Sequence, residues 1–305
     1  MPISAVMQTD RGRVRDHNED YVIRREPNSE EEEKALGWLY IVADGVGGAD
    51  AGEVASEYAS QQTIAHYTAN FDDPHLGNRL VNAMQTANTD LRQLVAERNE
   101  NKRMATTMVA TAISDQIAYI ANVGDSRGYH WRSNTLRQVT KDQSLVAKLV
   151  EEGAITEAEA ANHPHRNVIL YSIGSEKTPQ IDLFEVNLDP GDKILMCSDG
   201  LIRHVADQEI SEILGSEDKD MAADHLIQLA NERGGQDNIS AAIIDFGELL
   251  ADTTIEHSAR RVAMPVLSTN GITAAPSRKF LIPYTIFLSI IEVILIVMVW
   301  IWLRF

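Results

Sequence analysis

The sequence has very little cysteine: Cys197 is the single thiol among 305 residues. One thiol cannot form a disulfide within the chain, and it cannot supply a zinc site built from several thiolates. The N-terminus also lacks a basic segment followed by an apolar stretch, so we expect no signal peptide. With 44% hydrophobic residues, the chain is long enough to stabilise one large domain through its own core.

Positive charge is also scarce. The 27 Lys and Arg residues are outnumbered by 45 Asp and Glu residues, which gives a formal charge of −18. Such a charge repels nucleic acids and anionic membrane surfaces, so we expect neither as a partner. It does not exclude a phosphoprotein, because bound cations can invert the local field.

One long apolar run lies near the C-terminus, from Leu281 to Leu303. Its residues, about 23 in number, span roughly 34 Å as a helix, which is enough to cross a bilayer. We therefore predict a transmembrane helix over 280–303 after a flexible linker over 247–279, and a buried soluble helix is the alternative. More basic residues precede the run than follow it, which predicts a domain that faces the cytoplasm and is anchored to the cell membrane by its C-terminus.

Glu292 is the one ionisable residue inside this apolar run. A carboxylate at the centre of a bilayer costs about 2–3 kcal/mol even on lenient insertion scales. We therefore expect Glu292 to contact a partner helix, which is either a second copy of the chain or another membrane protein.

The remaining sequence predicts a mixture of strands and helices in one domain over 1–246. Strand patterns follow one another closely in the middle of the chain, which indicates an antiparallel meander and argues against a doubly wound parallel sheet. The predicted strands there are 106–113, 117–123, 127–131 and 136–139, followed later by 181–188, 193–197 and 239–246. Apolar residues with a period near 3.6 predict helices over 52–69, 75–98, 207–214 and 218–232.

Two other segments have less regular patterns. Residues 140–175 are predicted to form a partly helical flap, in which Thr156 and Glu159 have the spacing of a capping box. The acidic run from Glu30 to Glu33 is predicted to be a solvated loop between strands, because four adjacent carboxylates cannot all face one calcium ion.

The most informative stretch is the apolar strand pattern from Leu39 to Ala43, which ends in Asp44 and a glycine-rich turn. Glycine permits positive φ angles and a close approach of the backbone to a ligand. The same pattern, a strand that delivers an acidic residue to a turn, recurs at Asp125, Asp199 and Asp237. Each one alone is an ordinary turn residue.

Taken together, these carboxylates predict a metal site. Clustered carboxylates without thiolates favour Mg²⁺ or Mn²⁺ over zinc or copper. Two such ions can lower the pKa of a bridging water and supply hydroxide to a phosphorus atom. The acidic pair Glu19 and Asp20 opens another strand, and Arg13 and Arg15 just before it are candidates for binding a phosphate group.

Six ordered motifs resemble those of the protein phosphatase 2C family, in its bacterial branch. They are TDRGRVRDHNED at 9–20, VADGVGG at 42–48, ATT at 105–107, NVGDSR at 122–127, CSDGL at 197–201 and GGQDNI at 234–239. The resemblance implies an α+β fold, a four-layer α-β-β-α sandwich of two antiparallel sheets flanked by helices. It also implies a metal-dependent serine/threonine protein phosphatase that acts on phosphoproteins and often opposes a serine/threonine kinase.

The resemblance assigns roles by position. Asp44 would bridge two Mn²⁺ or Mg²⁺ ions, and Gly45 would add its backbone carbonyl. Asp199 and Asp237 would hold the first ion. Arg15 would bind the substrate phosphate.

Three further acidic residues complete the implied metal site. Glu19 and Asp20 would support the ions directly or through water. Asp125, with Asp199, would form a third metal site. The implied reaction is direct attack of metal-activated hydroxide on the phosphomonoester.

One departure from the family concerns Val46, which lies where some relatives carry a histidine that acts as the general acid. The general acid is therefore unassigned, and a catalytically silent sensor or scaffold at the membrane is the alternative function.

Two further motifs suggest other chemistry. Cys197, Gly200 and Arg203 have the Cys-x-x-Gly-x-x-Arg spacing of cysteine-dependent phosphatases, but a carboxylate at 199 would repel the phosphate there. We therefore predict that Cys197 is a core residue. His163 and His165 are predicted to pack on the flap rather than to bind metal.

Overall fold

The computed structural model describes residues 2–47, 51–70, 73–98 and 104–247. Two sheets lie at the centre of the fold, and every strand pairing within them is antiparallel. The first sheet has the order β1 (Ile3–Asp10), β11 (Ile239–Phe246), β10 (Asp192–Cys197), β7 (Arg127–Arg132) and β8 (Thr135–Gln138). The second has the order β2 (Asp20–Arg25), β3 (Trp38–Gly47), β5 (Met108–Ser114), β6 (Ile117–Val123) and β9 (Asp182–Asn187), and β4 (Met104–Thr106) also pairs with β3.

A hydrophobic core lies between the two sheets. Tyr40 and Ile120 of the second sheet belong to the same buried cluster as Met196 and Ile244 of the first. Successive strand residues point to opposite faces, so the inward positions of both sheets are apolar and the sheets pack face to face. The predicted pair of antiparallel sheets is confirmed.

Helices cover the outer faces of the sheets. α2 (Ala51–Ala69) and α3 (Leu76–Arg98) pack against each other and on the second sheet. The first sheet buries its outer face in a second apolar cluster with α6 (Asp199–Ile202), α7 (Asp207–Ser216) and α8 (Lys219–Glu232). The predicted helices at 52–69, 75–98, 207–214 and 218–232 are therefore present with small shifts at their ends.

The acidic run at 30–33 is helical, so the predicted loop is wrong. Glu30–Leu36 forms α1, and the Ser29 hydroxyl accepts a hydrogen bond from the Glu32 amide at 3.2 Å. Acidic residues in a first turn are favourable because they face the positive end of the helix dipole. Glu32 also pairs with the buried Arg25 guanidinium, which ties this helix to β2.

The predicted flap contains α4 (Leu145–Glu151) and α5 (Glu157–Ala161). The predicted capping box is confirmed, since the Thr156 amide donates to Glu159 Oε2 at 2.8 Å and the Glu159 amide donates to Thr156 Oγ1 at 3.3 Å. His163 is half-buried and His165 is exposed on the segment after α5.

In the parts of the chain that the structure describes, no helix combines the length and apolar character that a membrane crossing needs. The predicted transmembrane helix over 280–303, with Glu292, lies outside the described residues. So does the predicted linker over 247–279 beyond its first residue.

Candidate active site

Asp44 lies within β3 and not after it, because the strand continues to Gly47 by pairing with β4. Asp44 is opposite Asp20 of β2 in the strand register. Its carbonyl oxygen accepts hydrogen bonds from the Thr106 hydroxyl and the Thr107 amide, both at 2.9 Å. The backbone at Asp44 is therefore fixed from both sides, and its half-buried side chain is positioned at the end of the second sheet.

Gly45 is required by close packing and not by a positive φ angle. A Cβ atom at this position would lie 2.3 Å from the Gly52 carbonyl oxygen and 2.6 Å from the Glu19 carbonyl oxygen. Any side chain would therefore push the start of α2 and the Glu19 backbone away from β3. The sequence predicted a close backbone approach here, and the structure shows that the first partners are α2 and Glu19.

Asp199 begins α6, and only Ser198 separates it from the end of β10, a strand of the first sheet. A Cβ atom on the next residue, Gly200, would lie 2.0 Å from the Asn238 carbonyl oxygen. This contact brings α6 against the turn that carries Asp237. The two predicted ligands of the first metal ion thus lie on neighbouring segments.

Asp20 joins the two sheets at this edge. Its Oδ2 atom accepts hydrogen bonds from Ser198 Oγ at 2.7 Å and from Ser240 Oγ at 2.6 Å. Ser198 follows β10 and Ser240 lies in β11, both strands of the first sheet, whereas Asp20 begins β2 of the second sheet. The two serines were not predicted, because a serine beside a strand end carries no signal of its own.

Asn238 organises the loop that contains Arg15 and Glu19. Its Nδ2 atom donates to the carbonyl oxygens of Arg11 and His17, both at 2.9 Å, and its Oδ1 atom accepts from the Glu19 amide at 2.8 Å. This residue was also missed as a functional position. Only its place directly after Asp237 could have indicated its importance.

Asp125 lies in the turn between β6 and β7. Gly124 adopts φ 103°, and its amide donates to Gln143 Oε1 at 2.9 Å, which fixes the turn. Asp125 is 7% exposed, and its carboxylate repels that of Asp199 electrostatically. The structure therefore brings Asp125 to the other predicted carboxylates.

The pKa values of Glu19, Asp20, Asp44, Asp125 and Asp199 are raised above their ordinary values. Burial is the largest cause for each, and it raises the pKa of Asp20 and Asp125 to about 7 and that of Asp199 to about 6. The pKa of Asp44 is raised well above its ordinary value by burial and then by repulsion from the other aspartates, including Asp237. Burial likewise raises the pKa of Glu19.

Three of these groups also have a buried oxygen that forms no hydrogen bond with any described residue: Oδ1 of Asp20, Oδ1 of Asp125 and Oδ1 of Asp199. A buried carboxylate oxygen without a partner is costly, and a divalent cation is the partner that would satisfy several at once. The oxygen donors and the absence of thiols fit Mg²⁺ or Mn²⁺.

The carboxylates lie near one another, but their side chains are not oriented around a single ion position. Within 2–47, 51–70, 73–98 and 104–247, no three acidic, histidine or cysteine side chains are arranged to hold an ion. Arginines instead contact two of them. Arg203 donates from Nη2 to Asp199 Oδ2 and from Nη1 to Asp237 Oδ2, the latter at 3.2 Å, and Arg15 Nη2 donates to Asp237 Oδ2 at 2.8 Å.

Arg15 therefore lies at the carboxylate cluster, where a phosphate-binding arginine is needed. Its side chain is 47% exposed, so it is accessible to a ligand. Arg203 was not predicted as part of this site. Its spacing of four residues from Asp199 on the same short helix is the signal that could have indicated it.

Cys197 is not a nucleophile. It is fully buried in the apolar cluster beneath α6 to α8, and burial raises the pKa of its thiol to about 12. A neutral, inaccessible thiol cannot attack phosphorus. The prediction that Cys197 is a core residue is confirmed, and cysteine-dependent chemistry is excluded.

Comparison with known proteins adds independent evidence. A family model described as Protein phosphatase 2C matches residues 18–242. The serine/threonine phosphatase stp of Listeria welshimeri is 38% identical over 251 residues, which cover 79% of this chain and 95% of that protein. The serine/threonine protein phosphatase PstP of Mycobacterium tuberculosis is 36% identical over 243 residues, covering 78% of this chain and 44% of that protein.

Solved structures agree. The serine/threonine phosphatase Stp1 from Staphylococcus aureus superimposes with a TM-score of 0.74 at 35% identity, covering 81% of this chain and 96% of that one. The catalytic domain of PstP in complex with 2 manganese ions has a TM-score of 0.68 at 32% identity, covering 81% of this chain and 99% of that one.

Proposed function

The chain belongs to the protein phosphatase 2C family and is a serine/threonine phosphatase that works with two Mn²⁺ or Mg²⁺ ions; we propose that it dephosphorylates phosphoserine and phosphothreonine in proteins at the carboxylates around Asp44. The observation that carries the assignment of the site is the set of buried oxygens without partners on Asp20, Asp125 and Asp199. When bound, the ions supply the positive charge that lowers the pKa of the attacking water and neutralises the phosphate.

The metal-holding roles divide between the two sheets. From the second sheet, the Asp44 carboxylate and the Gly45 carbonyl oxygen would contact the ions, with Asp20 and Glu19 supporting them. The Asp20 carboxylate is already oriented by Ser198 and Ser240, which leaves its Oδ1 atom free to accept another partner.

From the first sheet, Asp199 and Asp237 would hold one ion. Asp125, in the turn from β6 of the second sheet to β7 of the first, would hold a third ion together with Asp199. Arg203 donates to Oδ2 of both Asp199 and Asp237, so its positive charge competes with an ion for these two carboxylates. In this account Arg15 turns from Asp237 to the substrate phosphate, which its guanidinium can bind through two parallel hydrogen bonds.

Proton delivery to the leaving serine or threonine oxygen is not assigned to a side chain. Val46 is half-buried and cannot donate a proton. We propose that water at the site protonates the leaving group.

We also propose that the chain acts in signalling at the cell membrane, with the phosphatase domain (1–246) in the cytoplasm, a linker over 247–279 and a membrane helix over 280–303. The apolar composition of that segment supports the anchor. A serine/threonine kinase is the proposed functional opponent, and Glu292 the proposed contact to a partner helix.

Membrane fractionation tests the anchor. The full chain is expected in the membrane fraction and a chain ending at residue 247 in the soluble fraction, and equal distribution of the two would contradict the anchor. If Glu292→Leu changes neither the oligomeric state in detergent nor the proteins that copurify, the proposed helix contact is wrong.

Hydrolysis of a phosphothreonine peptide tests the activity. Chelator-treated protein should be inactive, Mn²⁺ should restore turnover, and Asp199→Asn should remain inactive at every Mn²⁺ concentration. Absence of turnover with Mn²⁺ and with Mg²⁺ would favour the silent sensor or scaffold instead.

A further inference from the structure

Positive charge is concentrated in the loop between β1 and β2, although the chain as a whole carries −18. Arg11, Arg13 and Arg15 alternate along this loop, and all three are exposed. Arg15 pairs with Asp237, and Arg11 donates to the Asp16 carbonyl oxygen at 3.3 Å. Among the described residues, the Arg13 guanidinium has neither an ion-pair nor a hydrogen-bond partner.

The loop is held rigidly against the turn that carries Asp237. The Arg13 and Val14 amides both donate to the Gly235 carbonyl oxygen, at 2.8 and 3.2 Å. Gly12 adopts φ 79°, and a Cβ atom there would lie 2.1 Å from the Asp237 carbonyl oxygen. Because the backbone is fixed before any ligand arrives, a ligand of the Arg13 side chain binds without a cost for ordering the loop.

Arg13 lies close to the proposed phosphate position. One residue, Val14, separates it from Arg15, so their Cα atoms are at most about 7 Å apart. Neighbouring residues of an extended peptide are separated by about 3.3–3.6 Å each. If Arg15 holds the phosphate, Arg13 therefore reaches the peptide positions one or two residues from the phosphorylated residue.

Neighbouring features support a peptide-binding surface. Val14, between the two arginines, is 65% exposed and is one of the few large hydrophobic side chains on the described surface with such exposure. Arg233, by contrast, is neutralised by hydrogen bonds to both carboxylate oxygens of Glu209, at 2.6 and 2.7 Å. Arg13 thus offers an unpaired positive charge beside the site.

We propose that Arg13 is a specificity-determining residue that selects phosphopeptides with an aspartate or glutamate one or two positions from the phosphorylated residue. This inference rests on the proposed phosphatase function. The overall charge of the chain alone would favour basic peptides over acidic ones, so an acidic preference requires a local positive charge such as that of Arg13.

A panel of phosphothreonine peptides of equal length tests this proposal, with Glu, Ala or Lys at each of the two positions on either side. The wild-type chain should show kcat/KM about two- to fivefold higher for each well-placed Glu than for Ala, the range expected of one exposed ion pair. The difference should lie in KM, because the contact is made equally in the ground state and the transition state. It should weaken as ionic strength rises.

Charge reversal gives the decisive comparison. Arg13→Glu should reverse the preference, so that Lys is favoured over Glu at the same position. The matched control is Arg137→Glu, which makes the same change of charge at an exposed residue of β8 and should leave the preference unchanged. An unchanged preference in Arg13→Glu, or an equal reversal in both variants, would overturn the proposal.

The outcome separates this inference from the proposed function. If all peptides are hydrolysed with equal kcat/KM, the proposed role of Arg13 is wrong and the proposed phosphatase function stands. If no peptide is hydrolysed, the proposed function fails, and fluorescence anisotropy of the labelled peptides then tests the acidic preference by binding affinity.

Discussion

Strand β10 has a buried aspartate near each end, and the two differ in their partners. Asp192, its first residue, is 2% exposed and accepts hydrogen bonds from His130 Nε2 at 2.9 Å, Arg132 Nε at 2.8 Å and the Asp189 amide at 2.8 Å. Asp199, two residues after the strand ends, is 7% exposed and has an Oδ1 atom without a partner in the described chain.

The difference also appears in the pKa values. Burial tends to raise the pKa of Asp192, but hydrogen bonds from Arg132, the Asp189 amide and His130 outweigh it and hold the pKa below its ordinary value. At Asp199 burial prevails over Arg203 and raises the pKa to about 6. A buried carboxylate with complete partners stabilises the fold, whereas one left incomplete is suited to bind a cation.

Asp20, Asp44, Asp125, Asp199 and Asp237 form the incomplete cluster, in which buried oxygens of three aspartates have no partner in the described chain. The largest effect is expected from a change in this cluster. Removing an outer hydrogen-bond partner of a metal ligand costs up to about 100-fold in activity, and removing a ligand itself should cost more. Asp44→Asn should therefore lower kcat by more than about 100-fold. Steady-state hydrolysis of a phosphothreonine peptide with saturating Mn²⁺ measures this loss. In chelator, unfolding by urea should show no loss of stability, because Asp44→Asn removes a carboxylate that the neighbouring aspartates repel. Retained activity would contradict the role of Asp44 as a metal ligand.

Asp192 and its hydrogen-bond donors form the complete cluster, and a change there should lower stability and not activity. Asp192→Asn should lower the free energy of unfolding by about 1–3 kcal/mol, because charged donors lose their acceptor in a buried position. Its kcat per folded molecule should stay unchanged. Asp220→Asn is the control: its side chain is 58% accessible and lies in the first turn of α8, so the change should lower the free energy of unfolding by only about 0.3–1 kcal/mol and should leave kcat unchanged.

The pH dependence of stability distinguishes the clusters further. Asp20, Asp125 and Asp199 bind protons more tightly in the folded chain, with pKa values of about 7, 7 and 6, than in the unfolded chain, where the value is about 3.9. Their contribution to the free energy of unfolding is therefore greatest below about pH 4 and is lost as pH rises through 6 to 7. Asp192 has the opposite sign, because its stabilisation is present above about pH 4 and is lost as pH falls through its lowered pKa.

Thermal unfolding in chelator should therefore show a maximum Tm near pH 5 and a lower Tm at pH 7.5. Added Mn²⁺ should raise the Tm most at pH 7.5, since metal binding needs deprotonated ligands. A Tm that rises steadily from pH 5 to 7.5 in chelator would show that the site carboxylates are not destabilised by burial.

The smallest effect concerns Arg203, which contacts two predicted ligands. A unit charge and a divalent ion about 6 Å apart in water repel each other by about 1.4 kcal/mol. Arg203→Leu should therefore raise Mn²⁺ affinity by up to about tenfold in a calorimetric titration. Arg233→Leu removes an equal charge that Glu209 already neutralises, and it should not; an unchanged affinity in Arg203→Leu would show that Arg203 does not compete.

Local patterns predicted much of this architecture. Antiparallel hairpins such as β5–β6, the amphipathic helices and the strand-end aspartates were all predicted, because each has a sequence signal of a few residues. α1 was missed because its acidic run resembles a solvated loop until the Ser29 cap is taken into account.

Long-range contacts could not be predicted from such patterns. Asp20 meets Ser198 and Ser240 across 178 and 220 residues of sequence, and Asn238 reaches Glu19 across 219. No local period specifies these pairs, since they follow from the packing of the two sheets. The strand order, with β1 beside β11, has the same origin.

The incomplete carboxylate cluster should hold the metal ions, and the complete one should not. Anomalous X-ray diffraction from crystals of the chain grown with MnCl2 tests this directly. We predict two manganese peaks within coordination distance of the carboxylates, with Asp44 contacting both and none at Asp192. Peaks at Asp192, or none beside Asp44, would contradict the account.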